Sequence, residues 1–125
     1  MSVDDIKPGQ IAVTETTVTL DLTTNRMGRP GAEVLSTPSL LNLMEQCCIK
    51  ASDSYLAPKH TTVGYAVDGM RHMAPTAIGQ MVTVKAELTE VIHNRLTYSI
   101  EAYEDEKQIG VAIHKRAIIS KESDN

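Results

Sequence analysis

The sequence predicts an α+β fold, one long helix lying against an antiparallel sheet of about five strands. Three observations lead there. Residues 36–52 place Leu40, Leu43, Met44, Cys47, Cys48 and Ala51 at three- and four-residue steps, the spacing of one apolar helix face. Later stretches alternate with period two, most cleanly at Val82, Val84, Ala86 and Leu88, and again at Leu96, Tyr98, Ile100 and Ala102. Tight turn signals, such as His93-Asn94, separate these strands.

In chain order, Lys7-Pro8-Gly9 is a turn and residues 11–22, rich in Thr and Val, form a strand. Residues 23–33 hold Asn25, two Gly, Pro30 and two Arg, and read as a loop. Thr37 is the expected N-cap, because its hydroxyl can accept from backbone N–H groups without helical partners. Pro38 then takes the first helical position, where a missing N–H costs nothing. Asn42, Gln46, Lys50 and Asp53 fall on the opposite side, and Pro58 ends the helix.

Val63, Tyr65 and Val67 share one face of the next strand. Near Gly69 the phase slips and Met70 takes up the apolar role, the mark of a β-bulge. Turns are expected at 76–79, 93–94 and 104–107, a final strand at 109–120, and a polar tail at 121–125. The order is strand, helix, then four strands in an antiparallel meander. Such a unit leaves sheet edges and one helix flank uncovered, so it is expected to dimerise.

Length and composition bound the function. The 125 residues make a single domain, 1–125. A net charge of −4 argues against a general nucleic-acid binder. No apolar run suits a bilayer span, and Met1-Ser2-Val3-Asp4-Asp5 predicts no secretory leader. Cys47 and Cys48 are helix neighbours pointing about 100° apart, poor disulfide partners suited to a reducing, cytoplasmic setting. With no Phe or Trp, the core must come from Val, Ile, Leu, Met and Ala, with four Tyr as the only large rings.

No metal or phosphate signature is present, and no Gly-x-Ser-x-Gly elbow frames a serine nucleophile. Glu45 lies about 40° from Leu41, on the border between the apolar and polar arcs. It reads either as a solvated edge carboxylate or as one aimed along an interface, with Thr37 two turns earlier. His72 follows the expected bulge, which can re-aim a side chain beside a site; it reads equally as a strand-end histidine bonded to backbone. His60 and His93 are expected in solvated loops. His114 and Arg116 share one side of the last strand, as an exposed polar face or as a site rim.

Four runs occurring in order then show a family resemblance. They are Val34-Leu35-Ser36-Thr37-Pro38-Ser39-Leu40-Leu41-Asn42-Leu43-Met44-Glu45, Thr62-Val63-Gly64, Arg71-His72-Met73-Ala74-Pro75-Thr76-Ala77-Ile78-Gly79, and Ile113-His114-Lys115-Arg116-Ala117. Together they resemble the hot-dog-fold acyl-CoA thioesterases, most of all the fluoroacetyl-CoA thioesterase branch. The resemblance spans nearly the whole chain and agrees with the strand order read above.

The resemblance implies a thioester hydrolase acting on coenzyme A or a related carrier. Thr37, Glu45 and His72 stand where that branch keeps its catalytic threonine, glutamate and histidine. Gly64 matches a glycine whose backbone N–H helps hold the thioester oxygen, and Arg116 matches an arginine of the same region. The family works as dimers or dimers of dimers with the site between subunits. No separate cofactor is implied, since coenzyme A belongs to the substrate. Lys59, Arg71 and Arg116 are candidates to meet its phosphates. Two departures stand out: Gly64 and His72 are one residue further apart here, and residues 27–33 lack the branch's aromatic lid. The fluorinated substrate is therefore not carried over. A hot-dog dehydratase, an acyl-CoA binder and a regulatory module are the alternatives.

Overall fold

The computed structural model describes residues 3–25 and 31–121. Residues 26–30 of the expected loop, including most of the stretch without the aromatic lid, and tail residues 122–125 lie outside the described residues. The elements run β1 (Ile11–Thr17), α1 (Thr37–Leu56), β2 (His60–His72), β3 (Met81–Ile92), β4 (Arg95–Glu104) and β5 (Lys107–Ser120), with short 3₁₀ turns at Val3–Asp5 and Leu20–Leu22. The five strands form one antiparallel sheet in the order β1-β3-β4-β5-β2.

Helix α1 lies against this sheet because its apolar face and the inward residues of β3 and β4 bury each other. Leu40, Met44, Cys47 and Cys48 have no exposed surface, and neither do Val82, Ala86, Leu88, Leu96, Tyr98 and Ala102. Each buried Val, Leu or Met side chain among them contributes about 1.5–3 kcal/mol on leaving water. Asn42, Gln46, Lys50 and Asp53 are exposed on the far side, as their spacing required. Both cysteines are free; Cys47 Sγ lies 3.3 Å from the Ala12 carbonyl oxygen.

Three expectations are corrected. The first strand stops at Thr17, well before residue 22, because Thr17 pairs with Met81, the first residue of β3. Val18 N–H still reaches the Gln80 carbonyl at 2.8 Å, and the chain then turns into a 3₁₀ segment. The helix cap is Ser36, not Thr37. Ser36 Oγ accepts from Ser39 N–H at 3.2 Å, while Thr37 is the first helical residue and Pro38 the second. Backbone bonds from Leu35 N–H to Thr76 O and from Ser36 N–H to Leu22 O hold the chain extended through Ser36, so the helix can begin only after it.

The third correction concerns the meander. Strands β3, β4 and β5 follow one another through tight turns at His93 and Asp105, both with positive φ. Strand β2 does not pair with β3; it crosses to the far edge and pairs with β5. The 73–80 connection spends its backbone groups elsewhere: Ile78 N–H bonds Glu33 O, and Ala77 bridges Val34. A segment tied to the approach to α1 cannot fold back as a hairpin.

The bulge at Gly69 is present. Asp68 faces Ile113 and Arg71 faces Val111, so two β2 residues stand against one of β5, with Gly69 at φ 59°. A second register shift, not expected, inserts Tyr65 between Gly64 and Ala66. Gly110 of β5 sits under the helix, where a Cβ would stand 2.9 Å from Leu40 Cδ2. Its lack of a side chain lets the first turns of α1 approach the sheet.

Candidate active site

Because Ser36 does the capping, the hydroxyl of Thr37 is free for another partner. It meets His72 at the end of β2, with Thr37 Oγ1 2.9 Å from His72 Nδ1. His72 Nε2 is buried and has no hydrogen-bond partner among the described residues. Burial holds this imidazole below the ordinary histidine range, so it is neutral through a wider span of pH. The pair opens onto a cleft of about 280 Å³ whose walls include Val34, Leu35, Met73 and Pro75.

Glu45 lies eight residues further along α1, roughly 12 Å by helical rise. Its side chain is 35% exposed, and Oε2 is 3.5 Å from His114 Nε2. The structure therefore gives Glu45 a histidine, but His114 rather than His72. Within one chain the two line different clefts: Glu45 and His114 share one of about 290 Å³ with Gly64, Tyr65, Ala66 and Val67. A wider cleft of about 500 Å³, lined in part by Val3, His60, His93 and Ile118, contains none of the site residues expected from sequence.

The exposed-face reading of His114 and Arg116 is overturned, since they are 1% and 6% exposed. Arg116 was also a candidate for the coenzyme phosphates, but its guanidinium is committed inside. Nε donates to Thr62 Oγ1 at 2.7 Å, Nη2 to the Thr62 carbonyl at 2.9 Å, and Nη1 reaches His114 Nε2 at 3.0 Å. His114 Nδ1 in turn lies 2.8 Å from the Ala66 carbonyl oxygen. Gly64, opposite Arg116 in the β2–β5 register, faces this cluster. A Cβ there would stand 2.9 Å from His114 Cε1 and 3.1 Å from Arg116 Nη1, so a side chain at 64 would displace the imidazole. Lys59 and Arg71 remain exposed.

Behind Glu45 the helix presents Cys48 and Ser52. Burial pushes the Cys48 thiol well above its usual range. Ser52 hydrogen-bonds the Tyr98 hydroxyl, and burial pushes that phenol up to about 12 despite the bond, which acts the other way. Among the described residues, no group of three or more His, Cys, Asp or Glu is placed to hold a metal ion, and no helix is long and apolar enough to cross a membrane.

Sequence reasoning missed His114 as the partner of Glu45, and Thr62 as the anchor of Arg116. The signal misleads here: Val111 and Ile113 form the apolar phase of β5, yet it is Ala112, His114 and Arg116 that point inward.

Comparison with known proteins agrees with this architecture. The family model described as fluoroacetyl-CoA-specific thioesterase matches residues 18–122. The fluoroacetyl-CoA thioesterase of Streptantibioticus cattleyicolor is 38% identical over 93 residues, which span 74% of this chain and 66% of that relative's length. A solved structure of a fluoroacetyl-CoA thioesterase variant in complex with acetyl-CoA superposes with a TM-score of 0.84 at 30% identity, covering 94% of this chain and 92% of the other. A Thermus thermophilus protein described as a thioesterase superfamily member is 31% identical with a TM-score of 0.82, covering 93% and 85%. The hot-dog architecture expected from the resemblance thus holds, and the chain belongs to the fluoroacetyl-CoA-specific thioesterase family.

Proposed function

We propose that this protein hydrolyses an acyl-CoA thioester at a site completed by two copies of the chain. The observation that carries the reading is the hydroxyl–imidazole pair of Thr37 and His72, held at 2.9 Å beside an apolar-walled cleft, on the same helix as the half-exposed carboxylate of Glu45. With the Thr37 O–H donating to Nδ1, the His72 hydrogen resides on Nε2, where it can polarise a thioester carbonyl. The backbone N–H of Gly64 is a second donor for that oxygen. Glu45 takes a proton from water as the water oxygen bonds to the carbonyl carbon. The C–S bond then breaks, and the thiolate recovers the proton.

Two features support a second copy. Glu45 and His72 occupy separate clefts of one chain, yet this chemistry needs them on one substrate. Strand β2 is a 13-residue sheet edge with Val63, Tyr65 and Val67 exposed, and it borders the Glu45 cleft. An uncovered apolar edge of this length suits pairing with its own copy. The exposed cations Lys59 and Arg71 are the phosphate-binding candidates that remain once Arg116 is turned inward. The Phe- and Trp-free composition leaves aliphatic and Met side chains to shape the acyl pocket.

The test is thiol release over a panel of acyl-CoA chain lengths that includes 3-hydroxyacyl-CoA, by the wild type and by Glu45→Gln. Free thiol from the wild type alone supports hydrolysis through Glu45. An enoyl product points to dehydration instead, and ligand binding with neither product points to a carrier.

A further inference from the structure

Arg116 has no part in the chemistry outlined above, yet it decides what Glu45 faces. His114 Nδ1 lies 2.8 Å from the Ala66 carbonyl oxygen, which can only accept, so that nitrogen carries a hydrogen. The other ring nitrogen has two neighbours: Arg116 Nη1 stands 3.0 Å from Nε2, and Glu45 Oε2 stands 3.5 Å from it. A guanidinium can only donate, so its N–H takes the one lone pair that Nε2 has. Nε2 then holds neither a hydrogen to give Glu45 nor a second lone pair to offer it. A proton on Nε2 would have to displace the Arg116 N–H and would set two cations side by side, both of them buried. Arg116 is held in place, because Nε and Nη2 are bonded to Thr62 Oγ1 and to the Thr62 carbonyl.

Without that contact the same imidazole, beside an ionised carboxylate, would take up a proton, because a close opposite charge favours the charged form. Nε2–H would then donate to Glu45 Oε2 and hold it in a charge-assisted bond. A carboxylate paired in this way is a weaker base, and one of its oxygens is turned away from water. We infer that Arg116 is a positioning residue for Glu45: by occupying His114 Nε2 it keeps the ring neutral and so leaves the carboxylate open to the attacking water. Arg116 makes no ion pair with Glu45 among the described residues, so its charge acts on the carboxylate without binding it. The other titratable groups of the cluster are Cys48 of α1 and Tyr98 of β4, which pairs with His114 in the sheet; burial keeps both neutral. Its β2 members, Thr62, Gly64 and Ala66, carry no charge, and Tyr65 is the remaining titratable group of the cleft. Gly64 belongs to the same device, because a Cβ would push on His114 Cε1 and on Arg116 Nη1.

The inference rests on the proposed role of Glu45 as the base, and the experiment separates the two. Nitrogen-15 NMR of the folded wild type at the assay pH reads the ring directly. A neutral His114 with its hydrogen on Nδ1 alone is expected; an imidazolium, or a hydrogen on Nε2, overturns the inference. Kinetics test its consequence. Arg116→Met removes the N–H that occupies Nε2 while filling much of the same space. Its His114 should show the imidazolium signature, and its kcat at neutral pH should fall about tenfold or more with KM changed less. Adding His114→Asn to that variant leaves an amide to bond the Ala66 carbonyl but no imidazole to protonate, so kcat should recover severalfold over Arg116→Met alone. A neutral His114 in folded Arg116→Met, or no recovery in the folded double variant, overturns the role of Arg116 even when Glu45→Gln is inactive. Should Arg116→Met not fold, the wild-type spectrum decides. A fully active Glu45→Gln instead overturns the functional reading, and this role of Arg116 with it.

Discussion

The two polar clusters along α1 are built on opposite principles. Thr37 and His72 meet through one hydrogen bond at the open end of the helix, with Thr37 exposed and His72 Nε2 unpartnered among the described residues. Around Glu45 the groups behind the carboxylate are buried and nearly saturated: three bonds join Arg116 to Thr62 and His114, a fourth ties His114 to the Ala66 carbonyl, and Glu45 stands half-exposed in front of them. The first cluster keeps a ring nitrogen unsatisfied among the described residues; the second is a bonded wall behind one half-exposed carboxylate. Chemistry that must bind, polarise and release suits the former, and a base that must keep its aim suits the latter.

Substitutions can break or sharpen that contrast. The largest effect is expected from Glu45→Gln, which removes the proposed base but none of the wall: kcat/KM for thioester hydrolysis should fall by about 10²–10⁴-fold while the melting temperature hardly changes. Arg116→Ala attacks the wall itself. It leaves Thr62 and His114 without their donor and opens a gap, at a cost of about 3 kcal/mol in denaturant unfolding. Next come the adjacent residues Ser36 and Thr37. Ser36→Ala should cost about 1 kcal/mol of stability as a lost cap. Thr37→Ala should leave stability within about 0.5 kcal/mol and lower kcat/KM roughly tenfold. A reversal of the two would return the cap to Thr37.

The smallest effect is one of pH. The folded state holds His72 below its unfolded value, so it binds fewer protons there than the unfolded chain. Its contribution to stability is present above about pH 6.5 and is lost as pH falls through the lower folded value. His72→Gln should remove that acid dependence from a pH series of melting temperatures.

Much of this was legible in the sequence, for reasons that also explain what was not. Helix α1 and strands β3 and β4 announce themselves because each buries one full face, and burial imposes a period. The bulge at Gly69 showed as a slip in phase. The pairing of β2 with β5 left no local trace, since a strand's neighbour is chosen by where its connection is tied, here by bonds between 76–78 and 33–35. Strand β5 overturned the exposed-face reading: Ile113 is 37% exposed, whereas its neighbour His114 and Arg116 are buried. A buried polar network inverts the pattern from which burial is inferred. Thr37, Glu45 and His72 could be picked out as residues, but which histidine stands beside Glu45 is decided by the register of β5 under α1.

Mixed dimers of two inactive variants, Glu45→Gln and His72→Ala, measure most directly whether the carboxylate and the imidazole act on one substrate from different chains. Refolded together in equal amounts, half the dimers are mixed, and each holds one site with both groups intact. Thioesterase activity should therefore return to roughly a quarter of the wild-type level. Activity no higher than that of the separate variants would place both groups in the same chain and contradict a site shared between copies.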